Sequence, residues 1–450
     1  MLFSRHRYYI WLLRAYVKRW KRTIISSVVF GVIAFFAVGF MVDFYILPHI
    51  EKKIQKVGYS GTYTFQTIPK DILNEASYGL TKVTKDGTIQ PAAAYKWTIT
   101  NEGRDYTFYI KKGQYFNDKE ELNSKNLGYN FADVKEQIVD NYIVKFSLNE
   151  PYAPFLSLMS KPIFNKKLEG LAGYKIQGIS LNGGFVKSVT MINKSKTGYK
   201  KIINFYPTQD ALKTAFALGD IDVAYGITDQ TIKDHSLSEW SGVSIKKKVN
   251  YNELLTLFFN NSDSILSDKR VREALSYSLP EKFTEGERAF SPINPSSIYF
   301  AKTPNYGISS LEIARSLLGP NSDAQKTTFE ISTTEDFKNT AAVIQNSWRK
   351  LGINSKIKIV SGVPSDFQIL LYAIKLPEDP DQYTLWHSKG VNNIINYRRN
   401  LRIDKLLEDG RSTNDIEQRI ATYEDFQKYL IDDAPAAFIY FPYNFTLERN

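Results

Sequence analysis

The strongest pattern along the chain is an uncharged run of twenty residues, "TIISSVVFGVIAFFAVGFMV" at 23–42. At about 1.5 Å per residue a helix of that length crosses a hydrocarbon layer of roughly 30 Å. Beyond it the periodicity changes. In "RDYTFYIKKG" (104–113) Tyr106, Phe108 and Ile110 alternate with Thr107, Tyr109 and Lys111, and "NYIVKFSL" (141–148) repeats the alternation, so both predict strands. "EPYAP" (150–154) ends the second, because proline cannot donate to a ladder. The second half alternates strands with helices. "TFEIS" (328–332) predicts a strand and 335–352 a helix, with Phe337, Ala341, Ile344, Trp348 and Leu351 on one face and Gly352 as its stop. "SKIKIV" (355–360) predicts the next strand, which completes a βαβ unit with parallel pairing. Ser309 and Glu312 have the spacing of a capping box for a helix over 309–320. A long helix over about 414–431 closes at Pro435, and "AAFIYFPY" (436–443) predicts a buried strand.

Charge gives the apolar run a direction. Of the +11 net charge, seven positive groups lie in residues 1–22, which hold no acid, leaving +4 for the rest. Lysine and arginine beside a membrane span favour the cytoplasmic side. The sequence therefore predicts a cytoplasmic basic segment (1–22), a transmembrane anchor (23–47), a short stalk (48–60), and an extracytoplasmic remainder. A cleaved signal peptide is the alternative. The run is longer than a usual signal core, and no small-residue cleavage site follows it cleanly. The basic excess beside the span, rather than on a recognition element, speaks against nucleic acid as a partner.

Composition removes several chemistries. With 450 residues and 43% hydrophobic content the chain can build two or three cores. It has no cysteine, which excludes disulfides, thiol catalysis and thiolate-bound zinc. It has four histidines, His6, His49, His235 and His387, of which two flank the apolar run. No metalloprotease, nucleophile-elbow, P-loop or dinucleotide motif is present. The reading is of a protein that binds and does not catalyse, with no cofactor and no metal. The richest polar cluster is "KLPEDPDQYTLWHS" (375–388), where Glu378, Asp379 and Asp381 surround Pro380. Aspartates readily accept backbone N–H groups in turns. Asp379 and Asp381 are therefore expected chiefly to shape the loop.

Four stretches together resemble the peptide/nickel family, family 5, of extracellular solute-binding proteins, the receptors of ABC importers. "LFFNNSDSILSDKRVREALSYSLPEK" (257–282) is similar to the family's strand ending in Phe-Asn and its following Arg-x-Ala-Leu helix, here Phe259–Asn260, Arg272, Ala274 and Leu275. "AAAYKWTITNEGRDYTFYIKKGQYFND" (92–118), "DALKTAFALGDIDVAYG" (210–226) and "EDPDQYTLWHS" resemble three further family segments, in family order. The resemblance implies an α/β, two-lobed periplasmic-binding-protein-like fold of type II, cluster C-like, behind the transmembrane helix. It implies lobe 1 over 61–248 with a C-terminal return at 432–450, and lobe 2 over 249–431. One crossover lies in 246–261 and the other near 435–443. Arg272 is expected to be a structural ion-pair partner, and Trp97 to be core.

The implied function is a membrane-anchored receptor, a monomer, that hands an oligopeptide-like solute to ABC permease subunits. The alternative is a binding-fold protein without transport, acting as an envelope sensor or scaffold. The implied ligand-binding residues are Tyr372, Ala373, Lys375, Glu378, Asp379, Asp381 and Trp386. In peptide-binding members an aspartate shortly before the Asp-Pro pair holds the ligand's α-ammonium. Here Leu376 stands at that offset with Lys375 beside it. Lys375 is therefore expected to select an anionic or blocked ligand end, with Glu378 as the candidate substitute acid. The first lobe's small subdomain looks trimmed, which predicts a more open cleft.

Overall fold

The structure is a computed structural model, and it describes residues 2–41, 54–195, 198–232, 235–302, 309–320, 322–397 and 400–449. Two helices, Leu2–Arg19 and Lys21–Met41, precede the folded body. The second has a mean hydropathy of 2.5 and buries none of its side chains.

Lobe 1 is built on three parallel strands, Ile54–Ser60, Lys200–Tyr206 and Val223–Ile227, with Ile54–Ser60 in the middle. The helix Gln209–Leu218 carries the chain between the outer two. Thr208 caps it, accepting from Ala211 N at 3.1 Å, and Gly219 ends it at φ 80°, a left-handed value that favours glycine. Leu212, Ala215 and Phe216 of this helix are buried against Ile221 and Ala224. Asp222 holds the central strand in register by accepting from Lys56 N at 2.7 Å. Two further antiparallel strands, Tyr174–Asn182 and Phe185–Asn193, extend the sheet.

Residues 54–60 were expected to be stalk, and they are instead this central strand. Their sequence, IQKVGYS, has one fully buried apolar side chain, Val57, so the segment carries almost no period-two signal. Residues 42–53, which include the rest of the expected stalk and the end of the expected anchor, lie outside the described residues.

A separate four-stranded antiparallel sheet forms the small subdomain, in the order 94–100, 105–110, 143–148, 134–140. Tyr106, Phe108, Ile110, Val144 and Phe146 point inward, as their alternation predicts, and Trp97 packs on them from the edge.

Lobe 2 contains the predicted βαβ unit. Thr328–Thr333 pairs in parallel with Asn354–Ile359, and the helix Lys338–Arg349 lies between them in sequence. Ile369–Lys375 also pairs in parallel with Thr328–Thr333, and antiparallel with Glu253–Phe259. One face buries Leu255, Leu257, Phe259, Ile344 and Trp348, and the other buries Leu254, Phe258, Leu370, Tyr423 and Phe426. This two-sided burial explains why "ELLTLFF" is apolar at five of its seven positions rather than alternating. The helix predicted over 309–320 spans Leu311–Leu318, and its cap is Ser310, which accepts from Ile313 N at 3.2 Å. Buried Ala314 and the packing of Leu311, Leu317 and Leu318 set the helix register, which puts Ser310 rather than Ser309 at the cap.

The lobes share two continuous connections. Val243–Val249 belongs to lobe 1, and Glu253–Phe259, three residues later, belongs to lobe 2. The strand Ala436–Arg449 pairs with Glu253–Phe259 through its first half and with Val243–Val249 through its second. The C-terminal return thus enters lobe 1 at Tyr443, later than the boundary expected at 432. The apolar run 436–441 fills lobe 2 before the chain leaves it.

Strand polarity locates the cleft. Val223 lies opposite Glu448 and Ile227 opposite Phe445, so the parallel strands of lobe 1 point their C-terminal ends towards the crossover. In lobe 2, Lys375 lies opposite Glu253, so those strands also end at the crossover. Ligands in open α/β sheets bind beyond the carboxyl ends of the strands. Both sets of ends face the space between the lobes.

Candidate ligand-binding cleft

At the cleft end of the lobe 1 strands Tyr59 and Tyr225 stack with ring centroids 5.1 Å apart, and Tyr59 and Tyr63, the latter just beyond the strand end, pack against the lobe 1 core. Burial raises the hydroxyl pKa of Tyr59 and of Tyr63, so both stay neutral. The Tyr63 hydroxyl donates to Ser60 O at 3.0 Å. From lobe 2 come Lys375, at the end of its strand, and Asp336, at the start of the helical turn before Lys338. Glu253 stands on the crossover itself.

Lys375 is exposed, and Glu253 lies directly opposite it on the neighbouring strand. Ala373 lies on the same face as Lys375 and packs against one lobe 2 core, while Tyr372 lies on the other face and packs against the second. Both are half-buried.

The acidic loop is built as a turn. Asp379 Oδ1 accepts from Asp381 N at 3.0 Å, and Asp381 Oδ1 accepts from Tyr383 N at 3.0 Å. Each aspartate also has an arginine from the last two helices. Arg419 Nη1 donates to Asp379 Oδ2 at 3.0 Å and its Nη2 to Asp379 Oδ1 at 2.5 Å. Burial alone would pull the Arg419 guanidinium down, but the Asp379 carboxylate beside it outweighs burial and the net shift is upward. Arg411 donates to Asp381 Oδ2 from Nε at 3.1 Å and Nη2 at 2.8 Å, and stacks 4.0 Å from the Tyr383 ring centroid. Through these partners Asp379 and Asp381 shape the loop.

Trp386 also departs from its expected place on the cleft wall. It is fully buried between Phe258 and Phe438, with ring centroids 6.0 Å from each, and its indole N–H donates to Gln382 Oε1 at 2.7 Å. It ends the short helix Tyr383–Trp386, whose packing turns the ring into the core. His387 is structural as well. Its Nδ1 accepts from Lys389 N at 3.0 Å, so the neutral ring carries its proton on Nε2 and faces Glu408 Oε1 at 3.3 Å. Among the described residues no three His, Asp or Glu side chains group as a metal site.

Glu378 reaches across the cleft. It pairs with Lys70 of lobe 1, whose Nζ also donates to Ser160 Oγ at 2.7 Å. Four more contacts join the small subdomain to lobe 2. Ala153 N donates to Arg411 O at 2.8 Å, Tyr106 Oη to Asn414 Oδ1 at 3.1 Å, Ile298 N to Asp86 O at 2.9 Å, and Ser157 Oγ to Asp379 Oδ2 at 3.4 Å. The small subdomain therefore bridges the lobes, contrary to the expectation of a more open cleft. A cavity of about 230 Å³ remains at this junction, lined by Lys85, Gly87, Asn252, Pro377 and Glu378.

Arg272 is the structural residue expected. It is buried and donates to Leu266 O, Ser267 O, Asp433 O and Ala434 O, tying its helix to the chain just before the C-terminal strand.

This two-lobed arrangement has known counterparts. Residues 192–393 match the model of the bacterial extracellular solute-binding proteins, family 5, middle region. Over that stretch the chain is similar to the family 5 extracellular solute-binding proteins. It is 27% identical to the oligopeptide-binding protein AppA of Bacillus subtilis over 41% of each chain. It is 22% identical to the probable D,D-dipeptide-binding periplasmic protein DdpA of Escherichia coli, over 80% of this chain and 81% of that one. The fold matches NikZ from Campylobacter jejuni, solved in complex with Ni(L-His), at a TM-score of 0.70 and 19% identity, covering 89% of this chain and 95% of that one. Family 5 members are transport receptors and not enzymes, and their solutes are peptides or nickel.

The sequence reading missed Glu253, Lys70, Arg411 and Arg419. Glu253 alone left a local signal, as the single acid opening an otherwise apolar strand. The others act on residues far away in the chain.

Proposed function

We propose that this protein is a membrane-anchored receptor that captures a peptide-like solute and passes it to an ABC permease. The observation that carries the reading is the convergence of two sets of parallel-strand ends on one cleft, joined by two continuous crossovers that can act as hinges. Lys375, with Ala373 and Tyr372 behind it, lines the lobe 2 side, and Tyr59, Tyr63 and Tyr225 offer stacking area on the lobe 1 side. The apolar helix Lys21–Met41, behind a basic segment, supports the anchor, with the N-terminus cytoplasmic and residues 54–449 outside. The similarity to peptide-binding relatives favours peptides over nickel. So does the lack of a His, Asp and Glu cluster among the described residues.

A thermal-shift screen of the full chain in detergent against di- to pentapeptide pools tests the reading. A ligand at a hundred times its Kd that binds only the folded state adds about 2.7 kcal/mol of stability. The expected result is a rise in Tm with at least one pool. No rise with any pool at millimolar concentration would leave the sensor or scaffold reading in its place.

A further inference from the structure

The acids of the cleft are not equivalent. Asp379, Asp381 and Glu378 each carry a protein cation, Arg419, Arg411 and Lys70. Glu253 does not. Among the described residues its carboxylate takes one side-chain hydrogen bond, from Asn250 Nδ2 at 3.2 Å, and no ion pair. It stands on the crossover strand at the carboxyl ends of the lobe 2 strands, where a solute held between the lobes would lie. Residues directly opposite in an antiparallel pair share one face, with Cβ atoms about 5 Å apart. Glu253 and Lys375 are such a pair, and they occupy the last rung before the cleft.

The groups around this rung are unevenly satisfied. Among the described residues the helical turn beginning at Glu335 has no side-chain cap, and Thr334 Oγ1 before it is buried without a partner. Burial raises the Glu253 carboxyl pKa, Lys375 opposes that rise, and Asp336 adds to it. Tyr63, from lobe 1, faces the same carboxylate. Leaving a half-buried carboxylate without a cation costs stability unless something supplies one.

We propose that Glu253 and Lys375 together read a primary ammonium flanked by an oxygen acceptor, as found at the amino end of a peptide or in a free amino acid. The ammonium sits on Glu253 and the neighbouring oxygen on Lys375. The acid absent from the loop at Leu376 is thus supplied from the adjacent strand, and Lys375 does not exclude amines but orients them. The inference rests on the receptor reading above for its solute class.

The test uses the full chain in detergent, with wild type and Glu253→Gln, and alanine, trialanine and N-acetyl-trialanine as probes. Wild type is expected to bind trialanine more tightly than its acetylated form. Glu253→Gln should weaken trialanine at least tenfold, since hydrogen bonds to charged groups are among the stronger ones, and leave the acetylated peptide unchanged. Binding of alanine as tight as trialanine would identify the amino acid as the source of the recognised group. Equal effects on both peptides, or no effect on either, would overturn the proposal.

A second readout needs no ligand. A carboxyl whose pKa is raised in the folded state opposes folding once pH exceeds that raised value. Glu253→Gln should therefore raise the apo Tm at pH 7.5, and the gain should fade as pH falls through the carboxyl's range. Lys375, Asp336 and Tyr63 are unchanged in the variant, so the difference reports Glu253. A lower Tm in Glu253→Gln at pH 7.5 would mark the carboxylate as a satisfied structural acceptor and refute the inference. If no probe binds the wild type, the peptide reading fails by itself, and this stability comparison still decides the standing of Glu253.

Discussion

Replacing Arg419 with methionine should cost lobe 2 about 3–5 kcal/mol, the range for stripping one partner from a buried ion pair. The environment places the change at the upper end. The Arg419 side chain is 7% exposed and that of Asp379 10%, the pair is bidentate, and Arg419 Nε also donates to Gly410 O at 2.8 Å. Methionine restores most of the volume, so the loss is electrostatic rather than a cavity. It leaves Asp379 inside the protein with no cation. At about 2.1 cal/mol/K per residue, a body of roughly 390 residues gives an unfolding entropy near 0.8 kcal/mol/K, so Tm should fall by about 4–6 °C. Urea denaturation of wild type, Arg419→Met, Asp379→Leu and the double variant forms the assay. The double variant should recover much of the loss, because two apolar side chains leave no stranded charge. A single-variant loss below 1 kcal/mol, or a double variant as unstable as the sum of the two, would refute the claim that this pair is desolvated and coupled.

Three further outcomes follow from the structure. Gly170→Ala should destabilise lobe 1 by roughly 3 kcal/mol or more in urea titration, because the new Cβ would meet Ala76 O at 2.1 Å, a backbone atom that cannot step aside. Lys70→Ala removes the cation that joins the lobes at Glu378, and should raise the radius of gyration of the unliganded protein in small-angle scattering while leaving lobe stability within about 0.5 kcal/mol; an unchanged envelope would show that the other interlobe contacts suffice. A reporter active only in the cytoplasm, fused after Asn450, should be silent, and activity there would reverse the proposed topology.

Much of the fold was legible because its elements bury one face at a fixed period. Tyr106, Phe108 and Ile110 announce an outward-alternating strand, and the helix carrying Ile344 and Trp348 lies between two strands whose order implies parallel pairing. The central strand 54–60 was not legible. Its stability comes from hydrogen-bonded neighbours on both sides and from Asp222, more than a hundred and sixty residues away, while its own side chains are mixed. The loop 375–388 was found for its polarity, and polarity misled in part. Asp379 and Asp381 look like ligand groups until Arg419 and Arg411 arrive from helices 40 and 30 residues later, respectively. Trp386 reads as a wall because it follows the loop, yet its short helix turns it into the core. Glu253 went unread because its significance depends on which residue stands opposite it, and strand register across 122 residues is not written in either segment.

The central strand also fixes which way the receptor looks. Ile54, where the chain enters lobe 1, lies at the pole of the sheet away from the crossover, while Ser60 lies at the cleft end. Twelve residues, 42–53, separate the apolar helix from Ile54, and at about 3.5 Å per residue a chain of that length spans no more than about 40 Å. In the proposed anchored arrangement the cleft opens away from the membrane, as an angler's net faces the stream. The proposed transfer to a permease in the same membrane would then require the body to roll over through a wide arc. In the proposed anchored arrangement, attachment at this pole would make the reach of those twelve residues, rather than the affinity for the solute, the quantity that limits hand-over.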